Sequence, residues 1–372
     1  MAYRFLIIGA GMAGASAAAR LAPHGPTLLL EAEAHPGYHA TGRSAATYID
    51  TYGAPAVCAL TRASRGFFWS PPEGFAGHPL VRPIPELSLA RPEQAQALAA
   101  HMEVHSDLRQ VDAAEIRRMC PILRPEIDWS GALNDRVAEL DVDAILQGFL
   151  RMARAAGAEL AAGARVVGVE RRAGGGWRVT TAAGAFEGEV VVNAAGAWAG
   201  EVGRLAGLGD LGLQPLRRTA VRIEPARRDG LAGWPFVVDV DERFYFKPES
   251  GGLLLSPGDE TPSDPCDAQA DELDVAYAVQ AFEDATTEQV RRVAHRWAGL
   301  RTFAPDRVPV VGFDPRAEGF VWLAGQGGYG IQTAPALSAA AAGLVVEGRL
   351  PEAVRAEGVS EAELGPGRLL GA

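Results

Sequence analysis

Three glycines, at residues 9, 11 and 14, and a glutamate at residue 31 form the constellation with the most specific chemistry in this sequence. The stretch FLIIGAGMAG, residues 5–14, is an apolar run feeding directly into Gly9-x-Gly11-x-x-Gly14. A second apolar run, 27–30, ends on Glu31, 22 residues after Gly9. Strand, glycine turn, helix, strand and acid, in that order, bind the pyrophosphate and ribose of a dinucleotide. Gly9 permits the tight turn, Gly11 keeps side-chain atoms away from a pyrophosphate, and Gly14 lets the helix pack close to the strand. The amides at the helix start, among them Met12 and Ala13, are expected to face the phosphates with the positive end of the helix dipole. Glu31 can accept from both hydroxyls of a ribose and repels a 2′-phosphate, so FAD or NAD fits better than NADP.

Two further runs of small residues suit backbone lying against a ligand. Thr41-Gly42-Arg43-Ser44-Ala45-Ala46 reads as a loop whose amides and Arg43 reach a second phosphate or a flavin ring; the alternative is a helix cap at Ser44. An apolar run over 189–192 feeds Asn193-Ala194-Ala195-Gly196-Ala197-Trp198, a strand ending in small residues. Near the C-terminus Gly325-Gln326-Gly327-Gly328-Tyr329-Gly330 opens an alanine-rich helix over 333–347. A second glycine turn aimed at a helix start is a second anion site, able to hold the electron-rich edge of a reduced flavin.

Other candidates are weaker. Glu86 sits in an apolar, proline-flanked strand over 81–89. Buried there, it needs a positive partner; the alternative is a solvent-facing residue of an edge strand, which Pro83 and Pro85 suggest. His101 and His105 are spaced i, i+4, but no HExxH or third ligand accompanies them, so no metal is expected and a solvated helix face is the reading. Cys58, Cys120 and Cys266 form no CxxC pair and read as buried, inert thiols suited to a reducing cytoplasm.

The elements that must position these groups are legible in outline. The chain has 372 residues, enough for a large core and two domains, and a net charge of −11, which argues against a nucleic-acid partner. No run approaches the roughly 20 apolar residues of a membrane span. Helices are expected over 13–21, 54–70, 91–120, 141–155 and 276–293. Strands are expected over 163–170, 177–181 and 185–189, the last two as a hairpin about Gly184. From residue 213 the pattern becomes alternating strands: 216–224, with Arg218 and Arg222 on one face, then 236–240, 243–247 and 253–256. In 243–247, Phe244 and Phe246 face one side while Tyr245 and Lys247 face the other. Lys247, the sole lysine, reads as a solvated side chain.

Taken together, the opening FLIIGAGMAGASAAARLAPHG with Glu31, the TGRSAA loop, VVNAAGAW and the terminal WAGLRTF…GQGGYGIQTAPA resemble the D-amino-acid oxidase and glycine/sarcosine oxidase superfamily of flavoenzymes, in order and over nearly the whole chain. PGYHATGRSAA, ERFYFKP and GGYGIQT are most similar to the bacterial D-arginine dehydrogenases of that superfamily. The resemblance implies an α/β fold: a Rossmann-like, glutathione-reductase-like FAD-binding domain (1–80, 139–213 and 303–372) and an α+β substrate domain on a mixed, mainly antiparallel sheet (81–138 and 214–302). It implies FAD rather than NAD, with cofactor contacts extending to Val166, Ala195, Gly196, Trp198, Gly327, Gly328, Tyr329, Gly330, Ile331, Gln332 and Thr333.

The resemblance also implies the reaction: oxidative deamination of D-amino acids to 2-oxo acids and ammonia, by hydride transfer from the α-carbon to flavin N5. It places the substrate carboxylate on Arg301, Tyr245 and Tyr52, with Arg218 nearby and Gly328 at the site, and a side-chain cation on Glu86. Arg301 suits this task on its own chemistry, since a guanidinium pairs with a carboxylate through two parallel hydrogen bonds. Two positions depart from the dehydrogenase pattern: Thr47 stands for a histidine and Ile49 for a threonine. No cysteine lies near Arg301, so FAD is expected to be non-covalent. The strand over 253–256 has no lysine, so poor reaction with oxygen and a quinone or other electron acceptor are expected. The alternatives are a glycine, sarcosine or other amine oxidase releasing hydrogen peroxide, and a non-catalytic FAD-binding assembly protein.

Overall fold

A computed structural model describes residues 2–371. Residues Tyr3–Ile8 form a fully formed central strand, parallel to Thr27–Leu30 on one side and to Gly184–Asn193 on the other. Glu159–Ala161 extends the parallel edge beyond Thr27–Leu30, and Phe320–Ala324 pairs in parallel with the end of Gly184–Asn193. The antiparallel strands Val166–Arg171, Trp177–Thr181 and Val310–Phe313 complete an eight-stranded sheet. The expected hairpin about Gly184 is present, its second strand running on without a break into Asn193.

The first helix, Met12–Leu21, is almost wholly buried. Its side chains are nearly all alanine, glycine or serine, which lets it pack against the sheet and against Val142–Ala155 and Ala334–Val346 at once. A methyl group added at Gly14 would lie 1.8 Å from the Gly9 carbonyl oxygen, so the third glycine is required by helix–strand packing.

The second sheet has nine strands among the described residues, counting the short Thr261–Pro262, which pairs antiparallel with Gln214–Ile223. Gln214–Ile223 pairs with the long strand Val293–Phe303 and with Gly252–Ser256; then follow Tyr245–Glu249, Phe236–Asp239, Glu86–Ala90, Ser130–Asn134 and Arg109–Val111. All of these pairs are antiparallel except Phe236–Asp239 with Glu86–Ala90. Period-two alternation divides its faces. Leu87, Leu89, Val221, Phe244, Phe246, Leu253 and Leu255 pack toward helix Glu272–Ala285. Glu86, Ser88, Val238, Tyr245 and Arg218 face a cavity toward the first sheet. A small sheet of Thr47–Tyr48, Ala138–Leu140 and Val81–Pro83 lies between the two.

Several expectations are corrected. The segment 81–89 is two strands, and the second, Glu86–Ala90, lies inside the sheet rather than at its edge. Pro83 and Pro85 fall where the first strand ends and before the second begins, so the sheet interior loses no donor. The helix expected over 276–293 starts earlier, at Glu272, where the Asp271 carboxylate caps it by accepting from Leu273 N at 2.9 Å, and it ends at Ala285. The segment 91–120 is two helices, Ala95–Val104 and Ala113–Met119, separated by a strand. Cys58 and Cys120 are buried as expected, but Cys266 is exposed.

Lys247 is 3% exposed, and its ammonium pairs with Glu139 at 2.8 Å and Glu249 at 2.9 Å. A strand that is amphipathic in its sequence is covered on both faces here, because the small three-stranded sheet lies over it. Removing one partner of a buried ion pair leaves an uncompensated charge. Lys247→Met is therefore expected to cost about 3 kcal/mol of stability, read as a fall in the urea midpoint; an unchanged midpoint would refute the structural role of this triad.

Candidate active site

Three cavities sharing walls make one trough between the sheets. The first is lined by Gly9, Gly11, Glu31, His39, Thr41, Arg165, Val166, Ala195, Gly196 and Trp198. The second shares Gly11, Thr41, Arg43 and Gly196 with the first and adds Met12, Ala13, Ser44, Ala45, Gly327, Gly328, Gly330 and Ile331. The third, of roughly 540 Å³, shares Ser44, Ala45, Arg218, Tyr245, Arg301 and Gly328 with the second and extends to Ala46, Tyr52, Glu86 and Tyr329.

At the first end the backbone geometry explains the residue types. Gly9 has φ +98°, and a side chain on it would meet the Ala194 carbonyl at 2.6 Å. Glu31 is buried and held in place: its two carboxylate oxygens accept from Ala10 N at 2.8 Å and Glu33 N at 2.9 Å. Each oxygen keeps a further lone pair, which leaves the carboxylate able to accept from ribose hydroxyls. Trp198 forms a wall with His39, whose ring centroid lies 4.5 Å away, and the Arg165 guanidinium lies over the Trp198 ring, 5.7 Å from its centroid.

Some expected ligand-binding groups are committed elsewhere. Met12 N donates to Thr41 Oγ1 at 3.0 Å, so the first helical amide already has a partner. Ser44 starts no helix; its Oγ accepts from Ala46 N at 3.1 Å. The Arg43 guanidinium donates to the carbonyls of Ala268 and Ala298, at 2.9 and 3.0 Å, and pairs with Asp267. These contacts fasten the 267–268 loop at the trough, which Arg43 also lines. Gln332 lines the third cavity, but its amide spans the backbone of Ile49, accepting from Ile49 N at 3.0 Å and donating to Ile49 O at 3.3 Å. Thr333 lines no part of the trough; it is fully buried and donates to the Tyr329 carbonyl at 2.7 Å.

At the other end, Arg301 arrives from the long strand and donates to the Tyr52 hydroxyl at 3.3 Å. Among the described residues it has no carboxylate partner. Burial alone would push its pKa down, but the Tyr52 and Tyr245 oxygens facing it drive it up, so its charge is fixed. A side chain at Gly328 would sit 2.9 Å from Arg301 Nη1, so glycine there leaves the guanidinium its room. Burial would raise the Tyr245 phenol, yet Arg301, Arg218 and Ser256 outweigh it and hold its pKa below the ordinary value. Arg218 is less available: it donates to Asp259 O at 2.7 Å and to Glu260 at 3.3 Å. The Tyr52 and Tyr329 rings meet edge-on at 4.9 Å and close one wall.

A family description, the FAD-dependent oxidoreductases called DAO, matches residues 4–344. The chain belongs to the DAO family. Its fold is shared with solved structures: L-proline dehydrogenase from P. horikoshii (TM-score 0.83, 21% identity, 99% of this chain and 97% of that one), glycine oxidase from Geobacillus kaustophilus (0.81, 21%, 93% and 95%) and iminodiacetate oxidase from a Chelativorans species (0.78, 22%, 98% and 99%). The residues fit the cofactor of this family: a trough of matching continuity, glycine where a side chain would fill it, and a fixed acid at its ribose end.

In this DAO protein Glu86 is 7% exposed, its Oε2 has no hydrogen-bond partner, and it lines the third cavity. Burial first, then the charges of Asp50 and Glu242, push its pKa from 4.5 up to about 8. Ile49 joins Tyr245, Phe236 and Leu254 in an apolar cluster on the adjoining wall. Sequence reasoning missed three lining groups, Ser88, His101 and His105; the two histidines face the cavity rather than open solvent. Their spacing was visible, and so was the alternation that puts Ser88 on the same face as Glu86. What they faced was not visible. Among the described residues no cluster of three or more His, Cys, Asp or Glu side chains could hold a metal ion, and no helix is long and apolar enough to cross a membrane.

The Arg43–Asp267 fastening predicts a kinetic effect. Arg43→Ala removes three hydrogen bonds that close the trough, and should speed FAD release at least about tenfold. Recovery of free-flavin fluorescence on dilution measures it, and an unchanged release rate would rule the fastening out.

Proposed function

We propose that this FAD-dependent oxidoreductase oxidatively deaminates D-amino acids with basic or large apolar side chains, yielding the 2-oxo acid and ammonia, in the manner its resemblance to bacterial D-arginine dehydrogenases implies. One observation carries the reading: a single cavity holds a guanidinium, Arg301, and a buried carboxyl, Glu86, that among the described residues have no carboxylate partner and no donor respectively. An amino acid with a cationic side chain supplies both missing partners.

Arg301 and Tyr245 hold the substrate carboxylate, with the Tyr52 hydroxyl completing the clamp. Glu86 holds the far end when it is cationic, and Ile49, Phe236 and Val238 supply apolar surface when it is not. Thr47 cannot titrate, so the substrate ammonium loses its proton through Tyr52, through water or before binding. The neutral amine lone pair then assists departure of the α-hydrogen, and no strong base on carbon is needed. FAD, when bound, would supply the two-electron acceptor that this departure requires. The released imino acid hydrolyses in water. The protein's own contribution is alignment, at best about 7–11 kcal/mol.

FAD is held non-covalently in this reading, because the only exposed cysteine, Cys266, borders the ribose end of the trough. Oxygen is a poor acceptor: Gly252–Ser256 carries no lysine, and Lys247 is tied to Glu139 and Glu249 away from the cavity. Anaerobic reduction followed by mixing with air tests this, and reoxidation within milliseconds would overturn it.

The deciding experiment is a panel of D- and L-amino acids, glycine and sarcosine with a dye acceptor, watching flavin bleaching. Bleaching by D-arginine, D-lysine and D-leucine is expected. Bleaching only by glycine or sarcosine, with hydrogen peroxide released, would replace this reading by an amine oxidase. No bleaching by any member would point to a non-catalytic FAD protein.

A further inference from the structure

The third cavity does not end at Glu86. Ser88, two residues farther along the same strand and on the same face, lines it, as do His101 and His105 at the end of helix Ala95–Val104. His101 Nε2 lies 3.4 Å from Ser88 Oγ, and the two imidazole rings meet with centroids 5.1 Å apart. Sheet register sets the scale. Tyr245 is opposite Val238, and Val238 is opposite Ser88, two strand spacings or roughly 10 Å. A carboxylate held at Tyr245 and Arg301 therefore brings the tip of a long side chain to the Glu86–Ser88 wall.

The groups at this wall are rich in acceptors. Burial lowers the pKa of both histidines, and their proximity lowers that of His101 further, so both imidazoles are neutral near pH 7. Whichever of Ser88 and His101 donates to the other, the hydroxyl oxygen keeps a lone pair. Asp50 and Glu242 add negative potential from beyond Glu86. Asp50 is itself compensated by Arg136 at 2.7 Å, which leaves Glu86 the carboxyl without a partner.

We propose that the Ser88 hydroxyl, held in place by His101, is a second acceptor beside Glu86, so that this end of the cavity selects a planar guanidinium over a primary ammonium. The inference rests on the amino-acid reading above. A guanidinium carries five N–H groups in a fixed fork. Glu86 takes two on one edge, and those remaining need acceptors that a single carboxylate cannot supply. An ammonium is a point charge satisfied by Glu86 and water, and gains little from a second fixed acceptor.

The test is kcat/KM of the flavin-loaded enzyme on D-arginine, D-lysine and D-leucine, for wild type, Ser88→Ala, His101→Leu and His101→Gln. His101→Leu should lower the D-arginine value about tenfold, mostly through KM, with D-lysine and D-leucine within about twofold. His101→Gln, which keeps a neutral hydrogen-bonding partner for the Ser88 hydroxyl, should recover most of the loss. Inhibition by butylguanidine should weaken in parallel with D-arginine, while inhibition by butylamine should not. Equal losses on D-arginine and D-lysine, or no loss on either, would overturn the proposal while leaving the amino-acid reading intact. A wild-type enzyme that oxidises D-leucine but not D-arginine would overturn both this proposal and the basic-substrate reading on which it rests.

Discussion

Arg301→Ala should lower kcat/KM by roughly a hundred- to several-thousandfold on every amino acid the enzyme accepts, a loss of about 3–5 kcal/mol. On the proposed function the carboxylate is common to all substrates, and Arg301 is the guanidinium at the cavity without a carboxylate of its own among the described residues. Arg218 cannot substitute, because Asp259 and Glu260 already hold it. Arg301→Lys should recover little, since an ammonium lacks the paired donors that match a carboxylate. The variant should retain its flavin, because Arg301 is at the opposite end of the trough from Glu31. Steady-state kinetics with the flavin absorbance recorded alongside would decide the matter. A loss confined to one side-chain class, or a colourless variant, would contradict this role.

Glu86→Leu should act on a subset of substrates and also on stability. Loss of turnover is expected on D-arginine and D-lysine, with D-leucine spared; equal loss on all three would remove Glu86 from side-chain recognition. In the wild type the carboxyl retains its proton near neutrality, because its pKa is raised to about 8. A cationic side chain must displace that proton, so the ratio of kcat/KM for D-arginine to that for D-leucine should rise as pH climbs through about 8.

The stability consequence has a definite sign. The folded pKa is above the unfolded value of 4.5, so the contribution is fully present below 4.5 and is lost as pH rises through about 8. The total loss is about 5 kcal/mol. The melting temperature of the substrate-free protein should therefore fall across this range, and Glu86→Leu should flatten the fall. Parallel curves for the two proteins would show that burial of Glu86 is relieved by some other route.

The dinucleotide half of the molecule was readable from its residues because its requirements are local. Gly9, Gly14 and Glu31 lie within one strand–helix–strand unit; the positive φ of Gly9 and the close approach at Gly14 arise inside that unit, while the Ala194 carbonyl that crowds Gly9 comes from outside it. The faces of the second sheet were readable for the same reason: alternation of Phe244 and Phe246 with Tyr245 and Lys247 is a property of one strand. What lay against those faces was not. Lys247 looked solvated until Glu139, 108 residues earlier, covered it. His101 and His105 looked like the polar face of a helix until that helix was placed over Ser88.

The sequence by itself determined the strand–glycine turn–helix unit, the FAD cofactor and the family, since strand period, the positive φ of Gly9 and the spacing to Glu31 are set by neighbouring residues. The tertiary structure decided the substrate end. Tyr52, Glu86, His101, Tyr245 and Arg301 come from elements up to 249 residues apart; strand pairing gathers Glu86, Tyr245 and Arg301 into one sheet, and a turn and a helix packed on it bring Tyr52 and His101 to the same cavity. Alternation assigns a side chain to a face, but only pairing across the sheet decides whether that face is an edge in water or the wall of a buried site.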